Sequence, residues 1–281
     1  MPRSYGGEAL QKVGKGWLLP PTPLDLDGRP FTWRSSQFNI SFRFGVEQAD
    51  KLRACDDLKH SLTNLACSVH TPIPLVSWDH ISQPPGFLAK GGGDLVMFKA
   101  DHEASYKQLP SDPGDQKNAI VALRDPPTQR WHGCVSRTLV FGSVDSVLHY
   151  NAQSRILAAL TNRCLWIPLV CYFGDFPALV YRCLGKKALE GAPRFLSLLG
   201  FQLKPGKSTV GPSLPFLGLL GISPPKENDL CLSISLTPEK RRRWPQRLVN
   251  FLKGGKVSRR CMDKLIGKLS SPRHRYSGNS V

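Results

Sequence analysis

Two carboxylates could carry chemistry in this sequence. In DLVMFKAD, the residues Leu95, Val96, Met97, Phe98 and Ala100 read as a buried strand that delivers Asp101 at its end. The second, Asp175, interrupts the apolar run WIPLVCYFGDFPALVY. There, two strands joined by a tight turn at Phe173 to Asp175 are expected, because glycine tolerates positive φ and aspartate hydrogen-bonds within turns. A carboxylate at a strand end beside another at a hairpin turn would offer oxygen ligands to Mg²⁺, since paired buried acids are costly unless a cation neutralises them. Such ions activate an attacking hydroxyl, bridge phosphates and stabilise a leaving oxygen, which is what phosphoryl or nucleotidyl transfer needs. A separation of 74 positions is not itself diagnostic. Asp101 is equally suited to cap the turn that follows it.

Several elements must position these acids. The stretch ADKLRACDDLKHSLTNLACSV places Leu52, Cys55, Leu58, Leu62, Leu65 and Ala66 at helix-like separations, and IPLVSW reads as a short strand. Pro84, Pro85 and Gly86, then Gly91, Gly92 and Gly93, mark turns before the strand that ends in Asp101. Extended pieces follow at NAIVALRD and GCVSRTLVFG. From Ser143 the chain predicts a helix ending near Leu165, with Ser143 as cap, Asp145 in the first turn, and Val147, Leu148, Ile156, Ala159 and Leu160 facing a sheet. The stretch ALVYRCLGKKALEGAPRF looks too compact and proline-interrupted for a long helix. Residues 1 to about 35, with PPTPLDLDG, predict a poorly structured lead-in.

Composition narrows the class. At 281 residues with 41% hydrophobic content, the chain has material for a substantial core of about two domain-lengths, which excludes a disordered tail. Eight cysteines form no CxxC pair, and their apolar surroundings predict buried thiols rather than disulfides or a zinc site. No run of 18 uncharged apolar residues exists, and MPRSYGGEALQKVGKGWLLP lacks the pattern of a secretory signal. The expectation is an intracellular protein, cytoplasmic or nuclear, without a membrane partner. The formal charge is +17, which commonly reflects an anionic partner such as nucleic acid. Residues 240 to 281 hold thirteen basic residues and one acid, a local balance of +12. This segment opens with Lys240, Arg241, Arg242 and Arg243 and continues through Arg247, with Leu248, Phe251 and Leu252, then Met262, Leu265 and Ile266, at helix-stripe spacing. It could lie along a phosphate backbone or be the solubilising face of a small helical subdomain.

Taken in order, FKADHEASYKQLP, LVFGSVDSVLHYN, CYFGDF, LLGFQLKPGKS and FLGLLG are recognisable. This order resembles the successive palm motifs of retroelement reverse transcriptases, RNA-directed DNA polymerases, and especially the lineages whose catalytic turn reads YFDDF. The similarity runs from about Val46 to Gly221 and continues more weakly to Ser270. It implies an α+β right-hand fold with an antiparallel palm sheet packed on helices. Residues 36–98 would be fingers-like, 99–222 the palm with a fingers insertion near 107–137, and 223–281 a basic partial thumb or connection. Asp101 and Asp175 would be the catalytic, metal-binding acids for Mg²⁺ or Mn²⁺. Tyr106 would lie under the incoming dNTP sugar and discriminate against a 2′-hydroxyl, and Phe141 and Gly142 would begin the template and nucleotide loop. Lys207 would approach the triphosphate, while Phe216, Leu217 and Gly218 would form the primer grip. Lys99 and Lys107 would add positive potential or be plain surface lysines, Arg53 could meet phosphate, and Asp56 and Asp57 would only cap. RNA or DNA template-primer would be the partner, held also by Lys240, Arg241, Arg242, Arg243 and Arg247.

One departure from this pattern outweighs the matches. The family turn has two adjacent acids, and the first, which with Asp101 would bind both metals, is Gly174 in this chain. No RNase H domain with its spaced acids is recognisable downstream. The resemblance therefore implies a truncated or degenerate retroelement copy with impaired transfer, or a non-catalytic nucleic-acid-binding remnant.

Overall fold

The computed structural model describes residues 5–24, 34–35, 38–48, 51–67, 94–125, 128–204, 206–216, 220–223, 233–236, 238–253, 259 and 262. The segment IPLVSW, the turns at 84–86 and 91–93, Leu217, Gly218, Leu265 and Ile266 lie outside them. The chain divides into two compact units, one of Met1–Pro74 with Glu103–Ser154 and one of Leu75–His102 with Arg155–Val281.

The first unit is built on a mixed six-stranded sheet. Strands β1 (Thr22–Pro23), β2 (Arg34–Ser35), β3 (Phe38–Gln48), β4 (Lys51–Asp56), β6 (Ile120–Arg124) and β7 (Trp131–Val135) make it up, in the order β1-β7-β6-β3-β2 with β4 also on β3. The β3–β6 pair is parallel and the others antiparallel. Val121 and Ala122 from β6 and Cys134 from β7 are buried in it. Two expectations fail here. The helix-like pattern at 52–66 breaks into three: β4 pairs with β3 over six positions, from Arg43↔Asp56 to Gln48↔Lys51, residues 57–62 form turns, and α2 (Thr63–Ala66) alone is helical. Cross-strand pairing, and above all the buried Arg43–Asp56 ion pair, overrides the local period. Within the lead-in, the described stretch 5–24 is structured: α1 (Tyr5–Gly14) buries Ala9, and Leu18 bridges to Ser136 and is 2% exposed.

The second unit carries a three-stranded antiparallel sheet, β8-β5-β9, with β5 (Leu95–Asp101) central between β8 (Asp175–Tyr181) and β9 (Thr209–Gly211). Alternate residues Val96, Phe98 and Ala100 of β5 and Phe176, Ala178 and Val180 of β8 point into one core cluster. Helix residues complete that cluster: Ala158 of α3 (Val144–Leu165), and Ala188 and Ala192 of α4 (Arg182–Leu198). The second half of α3, from Arg155, belongs to this unit. The helix α4 corrects the expectation of a proline-interrupted segment. It runs 17 residues with Pro193 inside. Its buried positions Gly185, Ala188, Ala192 and Leu196 recur every three or four residues, so one small-residue face lies on the sheet. At Gly185 a Cβ would come within 3.1 Å of Val96 and 3.0 Å of Val210, so a larger residue here requires those side chains to give way by a few tenths of an ångström.

A second antiparallel sheet joins β10 (Leu214–Phe216), β11 (Leu220–Ser223) and β12 (Ser233–Leu236), and α5 (Pro238–Lys253) follows. Among the described cysteines only Cys134 and Cys171 are buried; Cys55 and Cys67 are half-buried, and Cys164 and Cys183 are exposed, so the expectation of buried thiols holds only in part. No helix among the described residues is long and apolar enough to cross a membrane.

Candidate functional site

Strand pairing brings the two predicted acids together. In the β5–β8 register Asp101 lies directly opposite Asp175, so both side chains leave the same sheet face at the same end. The turn before β8 is closed by Tyr172 and Asp175, which exchange backbone hydrogen bonds of 2.8 and 3.0 Å, while residues 166–171 ahead of it are irregular rather than the expected strand. The strained residue of the turn is Phe173, with φ 52. Asp101 itself is fastened from both sides: the next N–H, of His102, donates to the Gly174 carbonyl at 2.9 Å, and Lys204 N–H donates to the Asp101 carbonyl at 2.7 Å.

Two lysines face the pair. Lys207 Nζ lies 2.8 Å from Asp101 Oδ2, and Lys99 Nζ lies 3.2 Å from Asp175 Oδ1. Lys99, two positions before Asp101 on the same strand face, also donates to the Pro215 carbonyl of β10 at 3.4 Å. The carboxylates are half-buried, 23% exposed at Asp101 and 30% at Asp175, so each sits where a counter-charge helps but water still reaches. The four charges thus form two ion pairs, with no net charge. Among the described residues no three His, Cys, Asp or Glu side chains converge as a metal-holding group. The acidic side chains paired across the strands here are Asp101 and Asp175.

Beneath the site lies a residue that the sequence reading missed. His102 is 2% exposed, its ring 4.5 Å from Phe176 and stacked on Phe201 at 5.7 Å. Burial pushes its imidazole down to about 4, with Asp101 opposing, so it is neutral at neutral pH. The alternation along β5 signals it: Ala100 and His102 share the core-facing parity.

In the first unit, the residues assigned to the nucleotide also meet. Tyr106 lies in a 3₁₀ turn, Ser105–Gln108, entered through Ala104 and Ser105, both left-handed at φ 54 and 36. Its ring packs on Tyr150 at 4.7 Å and edge-on to Phe141 at 5.5 Å. Burial raises the Tyr106 phenol above its ordinary value. Gly142 has φ +105, a conformation that favours glycine, and its carbonyl accepts from Asn64 Nδ2 at 3.1 Å. Asn64 Oδ1 in turn accepts the Val144 N–H at 3.1 Å, so the start of α3 is capped by Asn64 together with Ser143, whose Oγ accepts from Ser146 at 3.5 Å.

The remaining predicted residues divide. Phe216 ends β10 and pairs with Leu220 across the hairpin, with Leu217 and Gly218 outside the described residues. Lys240 to Arg243 and Arg247 all lie on α5, and Arg241, Arg242 and Arg243 are exposed. Lys107 is not a surface lysine: it is half-buried, and burial pushes its ammonium down to about 8 against the pull of Asp56. Asp56 is more than a cap, since it holds Arg43 through both oxygens, at 2.6 and 3.0 Å.

No family model matches the sequence, and no curated protein matches it. Solved structures do. The chain is similar to the foamy viral protease-reverse transcriptase dRH in complex with double-stranded DNA, with a TM-score of 0.65 and 14% identity over 97% of this chain and 41% of that one. It is similar also to the foamy viral protease-reverse transcriptase in complex with double-stranded DNA, with a TM-score of 0.59 and 14% identity over 96% and 47%. The fold is reverse-transcriptase-like. It is a mixed α+β architecture of sheets packed against helices, and this chain spans less than half the length of either viral protein.

Proposed function

We propose that this chain binds a nucleic-acid template-primer and retains a strongly weakened centre for adding dNTPs by metal-assisted nucleotidyl transfer, as a degenerate retroelement polymerase of the YFDDF-type lineage. One observation carries the reading: Asp101 and Asp175 are cross-strand partners at one sheet end, while Gly174 stands where the resemblance has an acid. Two half-buried carboxylates paired only with lysines fit a Mg²⁺ or Mn²⁺ ion, which takes one or two protein carboxylates and leaves its other positions to water and phosphates. When bound there, such an ion supplies activation of the primer hydroxyl and neutralisation of phosphate charge.

The protein's own groups do the rest. Lys207 and Lys99 are point-charge donors on flexible stems, free to exchange a carboxylate for a triphosphate oxygen. The resemblance gives Tyr106 to the incoming sugar, Phe141 and Gly142 to the template and nucleotide loop, and Phe216, Leu217 and Gly218 to the primer. The exposed Arg241, Arg242 and Arg243 neutralise backbone phosphates.

Primer extension with Mg²⁺ or Mn²⁺ tests the proposal. Wild type extends weakly, Gly174→Asp raises the rate on the order of a hundredfold, and Asp101→Ala abolishes what remains. Strong wild-type extension unchanged by Asp101→Ala overturns it. The lysine pairing of both carboxylates favours a second reading, binding without transfer. In that case affinity for template-primer falls steeply with salt while Gly174→Asp restores nothing.

A further inference from the structure

We propose that Lys107 is the positioning residue for sugar selection: its ammonium ties the turn that carries Tyr106 to the segment that carries Phe141, and so fixes the aromatic floor on which a nucleotide would rest. The inference rests on the reading above for the role of Tyr106, and on separate geometry for the role of Lys107.

The turn needs a tie. Ala104 and Ser105 both hold left-handed backbone without being glycine, a strain that persists only where the surroundings enforce it. On one side, a ladder does so. Leu139 N–H donates to the Leu109 carbonyl at 3.0 Å, Ser111 N–H donates to the Arg137 carbonyl at 2.9 Å, and Pro110 bridges to Thr138. That ladder starts at Leu109, whose N–H returns to the Tyr106 carbonyl at 3.2 Å, while the Gln108 side-chain amide donates to the Glu103 carbonyl within the turn. Lys107 closes the other side, donating to the Leu139 carbonyl at 3.0 Å and to Ser136 Oγ at 3.2 Å. Ser136 is 1% exposed and passes its own proton to the Thr138 carbonyl at 2.8 Å. One cation therefore grips the 136–139 strand end, two residues before Phe141, whose ring meets Tyr106.

A lysine is a costly choice here. Besides the penalty of burial, Lys12 and Arg43 repel it and only Asp56 attracts it. A residue kept for stability alone would be better apolar. That contrast makes the role separable from folding, because Lys107→Met removes the desolvated charge along with the tie.

The test compares wild type, Lys107→Met, Ser136→Ala and Tyr106→Ala in two measurements. Amide hydrogen exchange at Lys107 and Leu109 reads the turn, and competition of a dNTP against the matching rNTP in the complex with template-primer reads sugar selection. Lys107→Met is expected to speed exchange at both amides by about tenfold while the melting temperature holds or rises. It is also expected to move the dNTP to rNTP ratio toward that of Tyr106→Ala, with Ser136→Ala between. Wild-type exchange and a wild-type ratio in Lys107→Met, with the ratio lost in Tyr106→Ala, overturn the role of Lys107. A ratio unchanged in Tyr106→Ala instead overturns the sugar-contact reading of Tyr106, and the exchange data still decide whether Lys107 holds the turn.

Discussion

Two carboxylate–cation sites, one in each unit of this chain, differ in kind. In the first unit Arg43 and Asp56 are 4% and 5% exposed, joined by a planar fork with both oxygens engaged. In the second, Asp101 and Asp175 each meet a single lysine, and Lys207 is 54% exposed. A guanidinium bound through two hydrogen bonds out of water has nowhere better to go, so it works as a strap across β3 and β4. An ammonium on a flexible stem, with solvent at hand, gives up little by leaving. On the proposed function, the same charges would serve architecture in one place and exchangeable chemistry in the other, with burial and ligand geometry deciding which.

The largest test of that contrast is Arg43→Ala, which strands Asp56 in the interior. It should cost about 3–5 kcal/mol in urea unfolding, whereas replacing both partners by apolar residues should come close to neutral. A loss below 1 kcal/mol would put the two kinds of pair in one class. Next come the buried bases, one in each unit. With His102 depressed to about 4, the unfolded chain binds a proton that the native state refuses between about pH 4 and 6.5, so stability rises with pH through that window and is lost as pH falls. Lys107, depressed to about 8, acts likewise between about pH 8 and 10.5. Each window should be worth up to roughly 3 kcal/mol, read as the difference between wild type and His102→Phe or Lys107→Met. A flat difference curve would mean that the base titrates as it does in the unfolded chain. The smallest effect belongs to Lys207→Met, expected to change unfolding free energy by under about 1 kcal/mol while weakening dNTP binding. A larger stability loss would make Lys207 a strap like Arg43.

The strand that ends in Asp101, the turn at Tyr172 to Asp175 and the extent of the helix ending at Leu165 were legible because apolar runs bounded by turn residues report strands and caps locally. That helix, however, buries Tyr150, Leu157, Ala158 and Thr161 and leaves Ile156, Ala159 and Leu160 of the expected face exposed. The resemblance in motif order added the assignment of Tyr106 and Lys207. What stayed hidden depends on distant partners. The strand character of Lys51–Asp56 comes from β3, and the helix through Pro193 survives because its small-residue face packs on a sheet. For Lys107 the acceptors are a serine and a carbonyl some thirty positions away, which no local pattern announces.

The balanced quartet of Asp101, Lys99, Asp175 and Lys207 also has a consequence at long range. Two positive and two negative charges leave no monopole, so their field falls off faster with distance than that of a net charge and is further screened beyond about 8 Å at physiological salt. On the proposed function, a polyanion approaching from solution would sense this centre weakly. It would be drawn mainly by the +12 of residues 240 to 281, so capture and reaction would answer to different parts of the chain. Mutations that silence one need not touch the other.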